Sequence, residues 1–334
     1  MTQRTTESGR EPPQSLYGLV VQREGDLYHP VPNYHTDMSR LVGGVEAGGS
    51  KFVCAVGAGP GDVRAEARIP TTTPEETIRS VVAFFAEHAS RTPLAALGIA
   101  SFGPVDLDPR SATFGSITTT PKPGWQHVDL VGPVGRALNI PIAFDTDVNG
   151  AALAEHRWGS AQGVRSLVYV TVGSGIGGGA IIDGQPVHGL VHPEMGHQRL
   201  PHDRTRDPFP GVCPHHGDCW EGLASAPALA ARWGQDPASL PDGHPAWELE
   251  ADYLALGLAN LVLVLSPERI VLGGGVMARA SLLPMVRSKL GEVLGGYVAS
   301  PALTDGLERY LVAPALGERA GVLGAMALAM RATD

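Results

Sequence analysis

Twice in this chain an apolar run is broken by a glycine turn and then resumes. The first case is "RLVGGVEAGGSKFVCAVGAG", which reads as a hairpin from Leu41 to Val56. The second is "SLVYVTVGSGIGGGAIIDGQPV", which follows the same strand, glycine turn, strand logic. A unit recurring once in each half predicts two domains of similar plan. Strands alternating with helices around these hairpins predict an α/β fold with mixed sheets. "TTTPEETIRSVVAFFAEHAS" is a helix by its signals: Thr73 caps, Pro74 takes the first position, and Glu75 and Glu76 fill the first turn. "IPIAFDTDVNGAALAEHRWG" is a strand feeding a helix. "ELEADYLALGLANLVLVLSPERIVLGGGVM" is a long apolar helix, then a strand from Arg269 to Leu272, then three glycines.

The expected division is a polar tail or added arm over 1–40, an N-terminal α/β domain over 41–150 and a C-terminal α/β domain over 151–314. An alanine-rich helix over 315–334 then packs back on the N-terminal domain. With 334 residues the chain is long enough for two domains. Its formal net charge is −9 with no lysine or arginine run, which argues against nucleic acid as a partner. Three cysteines fit a reducing compartment better than a disulfide framework. The N-terminus has no apolar signal segment. The longest apolar run, Leu254 to Leu265, contains Asn260 and falls well short of the roughly 20 residues of a membrane span. A cytoplasmic protein with no membrane partner is expected.

Three stretches carry chemistry. The tips "EAGGSK" and "GSGIGGG" put small residues where backbone N–H groups can converge on an anion, most often phosphate, with Ser50 or Lys51 able to add a hydroxyl or a charge. Taken singly, a tight turn explains either tip. Two of them, with the glycines at 273–275 as a third site, point to a nucleotide. In "DTDVNG", Asp145, Asp147 and Asn149 stand at a strand's carboxyl end, where α/β sheets place ligands. A carboxylate there can take a proton from a substrate hydroxyl. In isolation, Asp147 or Asn149 capping the next helix is the simpler account. Third, half of the twelve histidines fall between His188 and His216, around Cys213-x-x-His216-x-x-Cys219. These are three ligands of a tetrahedral zinc site, whose fourth comes from upstream. His197 is the best candidate, with His192, His202 and His215 open. Four protein ligands make a closed, structural site.

Together "EAGGSK", "DTDVNGAALAE", "VGSGIGGG", "HPEMGH", "CPHHGDCWEGLAS" and "VLGGGV" resemble the ROK sugar kinases, and most of all the ROK fructokinases. The resemblance covers about 41–330 and is most specific over 188–227. It implies the actin-like ATPase fold, two α/β domains of ribonuclease-H-like plan with a cleft between them. It implies a homodimer that uses ATP and Mg²⁺ to phosphorylate a hexose, here fructose to fructose 6-phosphate. The alternatives are mannose, glucose or an N-acetyl amino sugar. A ROK-type repressor is a further alternative, disfavoured because the first 40 residues lack a helix-turn-helix pattern. By resemblance, Asp147 is the general base. Asn149, Glu194, His197 and Glu221 bind sugar. His197, Cys213, His216 and Cys219 hold structural Zn²⁺. Gly48, Gly49 and Lys51 form the first phosphate hairpin, and Ser174, Gly175 and Gly177 the second. Gly273, Gly274 and Gly275 meet the adenosine. Two departures stand out: Glu46 where many members have aspartate, and Thr146 where many have asparagine.

Overall fold

The computed structural model describes residues 40–333; the arm expected over 1–40 therefore lies, all but Arg40, outside the described residues. Strands β1 (Val42–Ala47), β2 (Lys51–Gly59) and β3 (Asp62–Pro70) are followed by helix α1 (Pro74–Ala89) and β4 (Leu97–Ser101). Two short strands, β5 (Ser116–Ile117) and β6 (Val128–Asp129), precede α2 (Val131–Leu138), β7 (Ile142–Thr146) and α3 (Asp147–Trp158). The second half opens with β8 (Leu167–Val172), β9 (Ile176–Ile182) and β10 (Gln185–Pro186). A long irregular stretch leads to α4 (Trp220–Ala224), α5 (Ala226–Trp233), α6 (Ala246–Leu265) and β11 (Arg269–Gly273). The chain closes with α7 (Leu282–Leu294), α8 (Pro301–Thr304), α9 (Leu307–Tyr310), β12 (Leu311–Val312) and α10 (Ala320–Arg331).

Two five-stranded sheets follow one plan, β3-β2-β1-β4-β7 and β10-β9-β8-β11-β12. In each, the glycine hairpin is antiparallel, and the inner strand of the hairpin then pairs in parallel with the strand that follows a helix. The repeat read from the hairpins thus extends to the whole sheet. Strand β3 was not among the expected elements. Its alternation is amphipathic, with Ala65 and Ile69 packed against the core and charged residues outward. The edge strands β10 and β12 have two residues each, too few to carry a pattern.

Helix α1 starts as expected: the Thr73 side chain accepts from the Glu76 N–H, and Ile78, Val81 and Phe85 are buried. Phe85 joins Phe52, Ile99 and the fully buried Trp125 in the core of the first half. In the second half, Trp220, Trp247 and the buried face of α6 pack on β8 and β11. Helices α3 and α10 lie between the sheets and are alanine-rich on their contact faces. They cross where Gly150 faces Gly324, so closely that a Cβ on Gly324 would strike the backbone of Gly150. Small residues are required there because the backbones themselves are in contact.

Helix α10 packs on β1, β2 and β4 of the first sheet. It begins at Ala320, not near Ala315. The buried Glu155 carboxylate accepts from the amides of Ala315 and Leu316, and Gly317 has φ +56°, so the segment before α10 is held out of the helix. Among the described residues no helix is long and apolar enough to cross a membrane.

Candidate active site

The junction of β7 and α3 places Asp147 at the first helical position. Neither Asp147 nor Asn149 is the cap. The Thr146 hydroxyl takes that role, accepting from the Asn149 N–H at 3.2 Å. This frees Asp147, whose Oδ1 accepts the N–H of the adjacent Val148 at 2.8 Å. Burial, with Glu46 and Glu194 as like-charged neighbours, pushes the Asp147 carboxyl up to about 7. Burial, reinforced by Glu221, raises Glu194 to about 7 as well. Four acids, Glu46, Asp147, Glu194 and Glu221, therefore share one region, and burial raises the carboxyls of the first three. Glu46, at the end of β1, turns toward the start of α10, where Gly321 has no Cβ to obstruct it and the Val322 N–H donates to it. The longer carboxylate is thus accommodated at a helix N-terminus.

The two hairpin tips flank this region. At the first, the Gly48 N–H donates to the Lys51 carbonyl at 3.0 Å, while Gly49, Ser50 and Lys51 are exposed. A Cβ on Gly49 would meet only the stem of Lys122, at 3.9 Å. At the second, Ser174 is exposed and the Gly173 N–H donates to the Gly175 carbonyl at 2.8 Å. A Cβ on Gly175 would lie 2.5 Å from Glu221 Oε2, which accepts the Ile176 N–H at 3.0 Å. Gly177 stands inside β9, not at the tip; its bare Cα makes room for Val148 of α3. Gly274 has φ +98° and lies against the backbone of Val172. Gly273 ends β11 beside Pro314. Gly275 lines a cavity of about 500 Å³ with Gly173, Ser174, Asp242, Trp247 and Arg279. Arg279 stacks 4.1 Å over the Trp247 ring and donates to the Leu240 carbonyl at 2.6 Å, which stiffens that wall. Neither residue stood out in the sequence, since each is a lone side chain without a motif.

The irregular stretch before α4 gathers the metal-type ligands. One atom each from His197, Cys213, His216 and Cys219 lies within 4.8 Å of the others. The Cys213 sulfur is 3.7 Å from His197 Nδ1 and 3.6 Å from His216 Nδ1, and the Cys219 sulfur is 3.6 Å from His197 Nδ1. A tetrahedron with Zn–S and Zn–N bonds of ordinary length has S···N edges of about 3.6 Å. The donor set fits zinc in type, number and spacing. The other histidines are committed elsewhere. His192 Nε2 accepts the Val105 N–H at 3.0 Å, and burial pushes the ring below its usual range. His202 sits between Asp218 and the Asp207 carbonyl, and His215 is exposed against the His216 ring. Glu194 precedes the turn carrying His197, and Glu221 follows Cys219 on α4, so the cluster joins both acids. Trp220, between Cys219 and Glu221, is fully buried against Gly257 of α6 and anchors the far side.

Residues 42–332 match the model of the ROK family. A fructokinase of Zymomonas mobilis is 46% identical over 305 residues, spanning 88% of this chain and 98% of the relative. A ROK hexokinase from Thermus thermophilus superposes with TM-score 0.70 at 29% identity, over 86% of this chain and 97% of that one. A ROK family glucokinase from Streptomyces griseus, solved with glucose and AMPPNP, gives TM-score 0.69 at 27% identity, over 87% and 99% of the two chains.

Proposed function

The chain belongs to the ROK family, and on that premise we propose that it is an ATP-dependent fructokinase making fructose 6-phosphate. Relatives carrying that name cover 87% to 88% of this chain. The observation that carries the reading is Asp147, a carboxylate that does not cap its helix, at a strand–helix junction between two glycine hairpins, raised to about 7 by burial and then by its acidic neighbours.

In this reading the sugar lies against Asn149, Glu194, His197 and Glu221, with its C6 hydroxyl on Asp147. As the hydroxyl oxygen bonds to the γ-phosphorus, its proton passes to Asp147 and the bond to the β,γ-bridging oxygen breaks, releasing ADP. The amides at Gly49, Ser174 and Gly175, with Lys51, hold the phosphates, while the Gly48 N–H is spent on the Lys51 carbonyl and closes the first turn. The adenosine occupies the cavity beside Gly275. Mg²⁺ would neutralise charge on the transferring phosphoryl group, with Glu46 of β1 as the carboxylate that could serve it. His197, Cys213, His216 and Cys219 would hold Zn²⁺ as a structural ion, and coordination would favour the Cys219 thiolate against the burial that pushes its thiol up to about 11. With Nδ1 of His197 committed to the metal, its Nε2 would be the nitrogen available to a sugar hydroxyl. A cytoplasmic homodimer completes the reading. A coupled ADP-release assay across fructose, mannose, glucose and N-acetyl amino sugars tests it. Fructose should give the highest kcat/KM, and a preference for another sugar overturns the substrate assignment. Light scattering reports the dimer.

A further inference from the structure

Asp145 lies two residues before the proposed base. It is 2% exposed, and both its carboxylate oxygens are engaged. Oδ1 accepts the Thr146 N–H at 2.7 Å and the Asn149 amide nitrogen at 2.8 Å. Oδ2 lies 2.9 Å from His188 Nε2. An ionised carboxylate only accepts, so it sets the polarity of everything around it. Asn149 must turn its NH₂ inward, and His188 must carry its proton on Nε2. The 3.3 Å approach of Asn149 Nδ2 to His188 Nε2 is then a contact between two donors serving one carboxylate, not a bond between them.

This arrangement leaves one group unserved. Asn149 is 1% exposed, and its Oδ1 is buried without a hydrogen-bond partner. A buried amide oxygen left without a donor is costly, and its flip to the other orientation is blocked by Asp145. The position therefore calls for a donor from a ligand. His188 Nδ1 points away from Asp145, on a side chain 42% exposed.

We propose that Asp145 and His188 are positioning residues that lock the Asn149 amide, so that its carbonyl oxygen accepts a hydrogen bond from a sugar hydroxyl. The proposal rests on the kinase reading and adds to it which groups fix the sugar's orientation. Asp145 acts through Asn149. His188 neutralises Asp145 and keeps Oδ2 from competing for the same amide. The Asp145 carboxylate holds the His188 imidazolium above its usual pKa, with Arg331 and His192 as the other charged or titratable groups near the ring. Neither residue touches the phosphates in this scheme, so the effect falls on the sugar alone.

The test compares Asp145→Asn, His188→Ala and His188→Gln in the full chain, by steady-state kinetics with each substrate varied and by NMR titration of the His188 ring. Asp145→Asn removes the fixed polarity, and KM for fructose should rise about 10- to 100-fold while KM for ATP stays within twofold. His188→Ala should raise KM for fructose about 10-fold, and His188→Gln, whose amide still donates to Asp145, should recover most of that loss. An unchanged KM for fructose in His188→Ala, an equal rise for both substrates, or a glutamine variant no better than alanine overturns the proposal. If Asp145→Asn does not fold, the two half-exposed His188 variants decide. If the wild type phosphorylates no fructose, the kinase assignment fails by itself. The lock is then judged by His188, whose pKa must fall toward about 6.5 in Asp145→Asn, and an unmoved pKa overturns it.

Discussion

The two glycine hairpins are alike in pattern and unlike in what surrounds them. The tip of the first is open: beyond the Lys122 stem, nothing crowds Gly49, and Ser50 and Lys51 face solvent. The tip of the second is enclosed from three sides. Glu221 presses on Gly175 and accepts the Ile176 N–H, the Ala226 N–H donates to the Gly173 carbonyl at 2.8 Å, and Gly274 abuts Val172. One hairpin is a loop that a ligand alone could organise. The other is organised in advance by the cysteine–histidine cluster and α4, so it joins the cavity beside Gly275 to the acidic region. The same local sequence logic thus yields an adaptable arm and a rigid one, because rigidity comes from neighbours and not from the turn.

The largest expected effect is at the point both hairpins serve. Asp147→Asn should lower turnover by at least about 10²-fold while leaving both hairpins and both substrates' binding intact. Wild-type kcat/KM should rise with pH through about 7 and level off above it, because only the ionised carboxylate accepts a proton. The sign for stability is opposite. The folded-state pKa is raised above the ordinary 3.8, so the stability this group contributes is present below 3.8 and is lost as pH rises through about 7. The asparagine variant should therefore melt higher than wild type at pH 8, and calorimetry beside the rate measurement checks both halves.

Cys213→Ser attacks the brace behind the second hairpin only. Zinc content should fall from about one per chain, and kcat/KM for fructose should drop more than affinity for ATP. A zinc-free protein with full sugar affinity would sink the structural-metal reading. An equal loss for both substrates would mean that the brace holds the whole second half.

Gly175→Ala tests the enclosure itself. Its Cβ would displace the Glu221 carboxylate, and kcat/KM for fructose should fall about 10-fold with zinc retained. Gly49→Val is the matching change on the open hairpin. It should raise KM for ATP a few-fold through crowding of the phosphates, with no change in melting temperature. A large loss of stability in Gly49→Val would erase the contrast between the two tips.

The features legible in the sequence were those written in short stretches. The hairpins, the Thr73 cap and the spacing of Cys213, His216 and Cys219 are local patterns, and the structure places each where its pattern says. Less legible was anything shared between distant segments. The Asp145–His188 pair joins residues 43 apart, and His188 reads as one histidine among six. The cap at Thr146 was hidden by two stronger-looking candidates beside it. The start of α10 depended on Glu155, 160 residues upstream of Ala315.

Sequence by itself determined the repeated strand–hairpin units, the helix that follows Thr73 and the ligand types of the metal cluster, because backbone conformation and ligand spacing answer to residues within a few positions. Tertiary structure alone decided that Thr146 caps α3, that the Asp147 carboxyl is raised, and that Asp145 is spent on holding Asn149 and His188. Those outcomes depend on burial and, for Asp147, on like charges brought to it from β1 and from the irregular stretch before α4. A carboxylate raised to about 7 is a property of its surroundings, and no residue carries its surroundings in its own name.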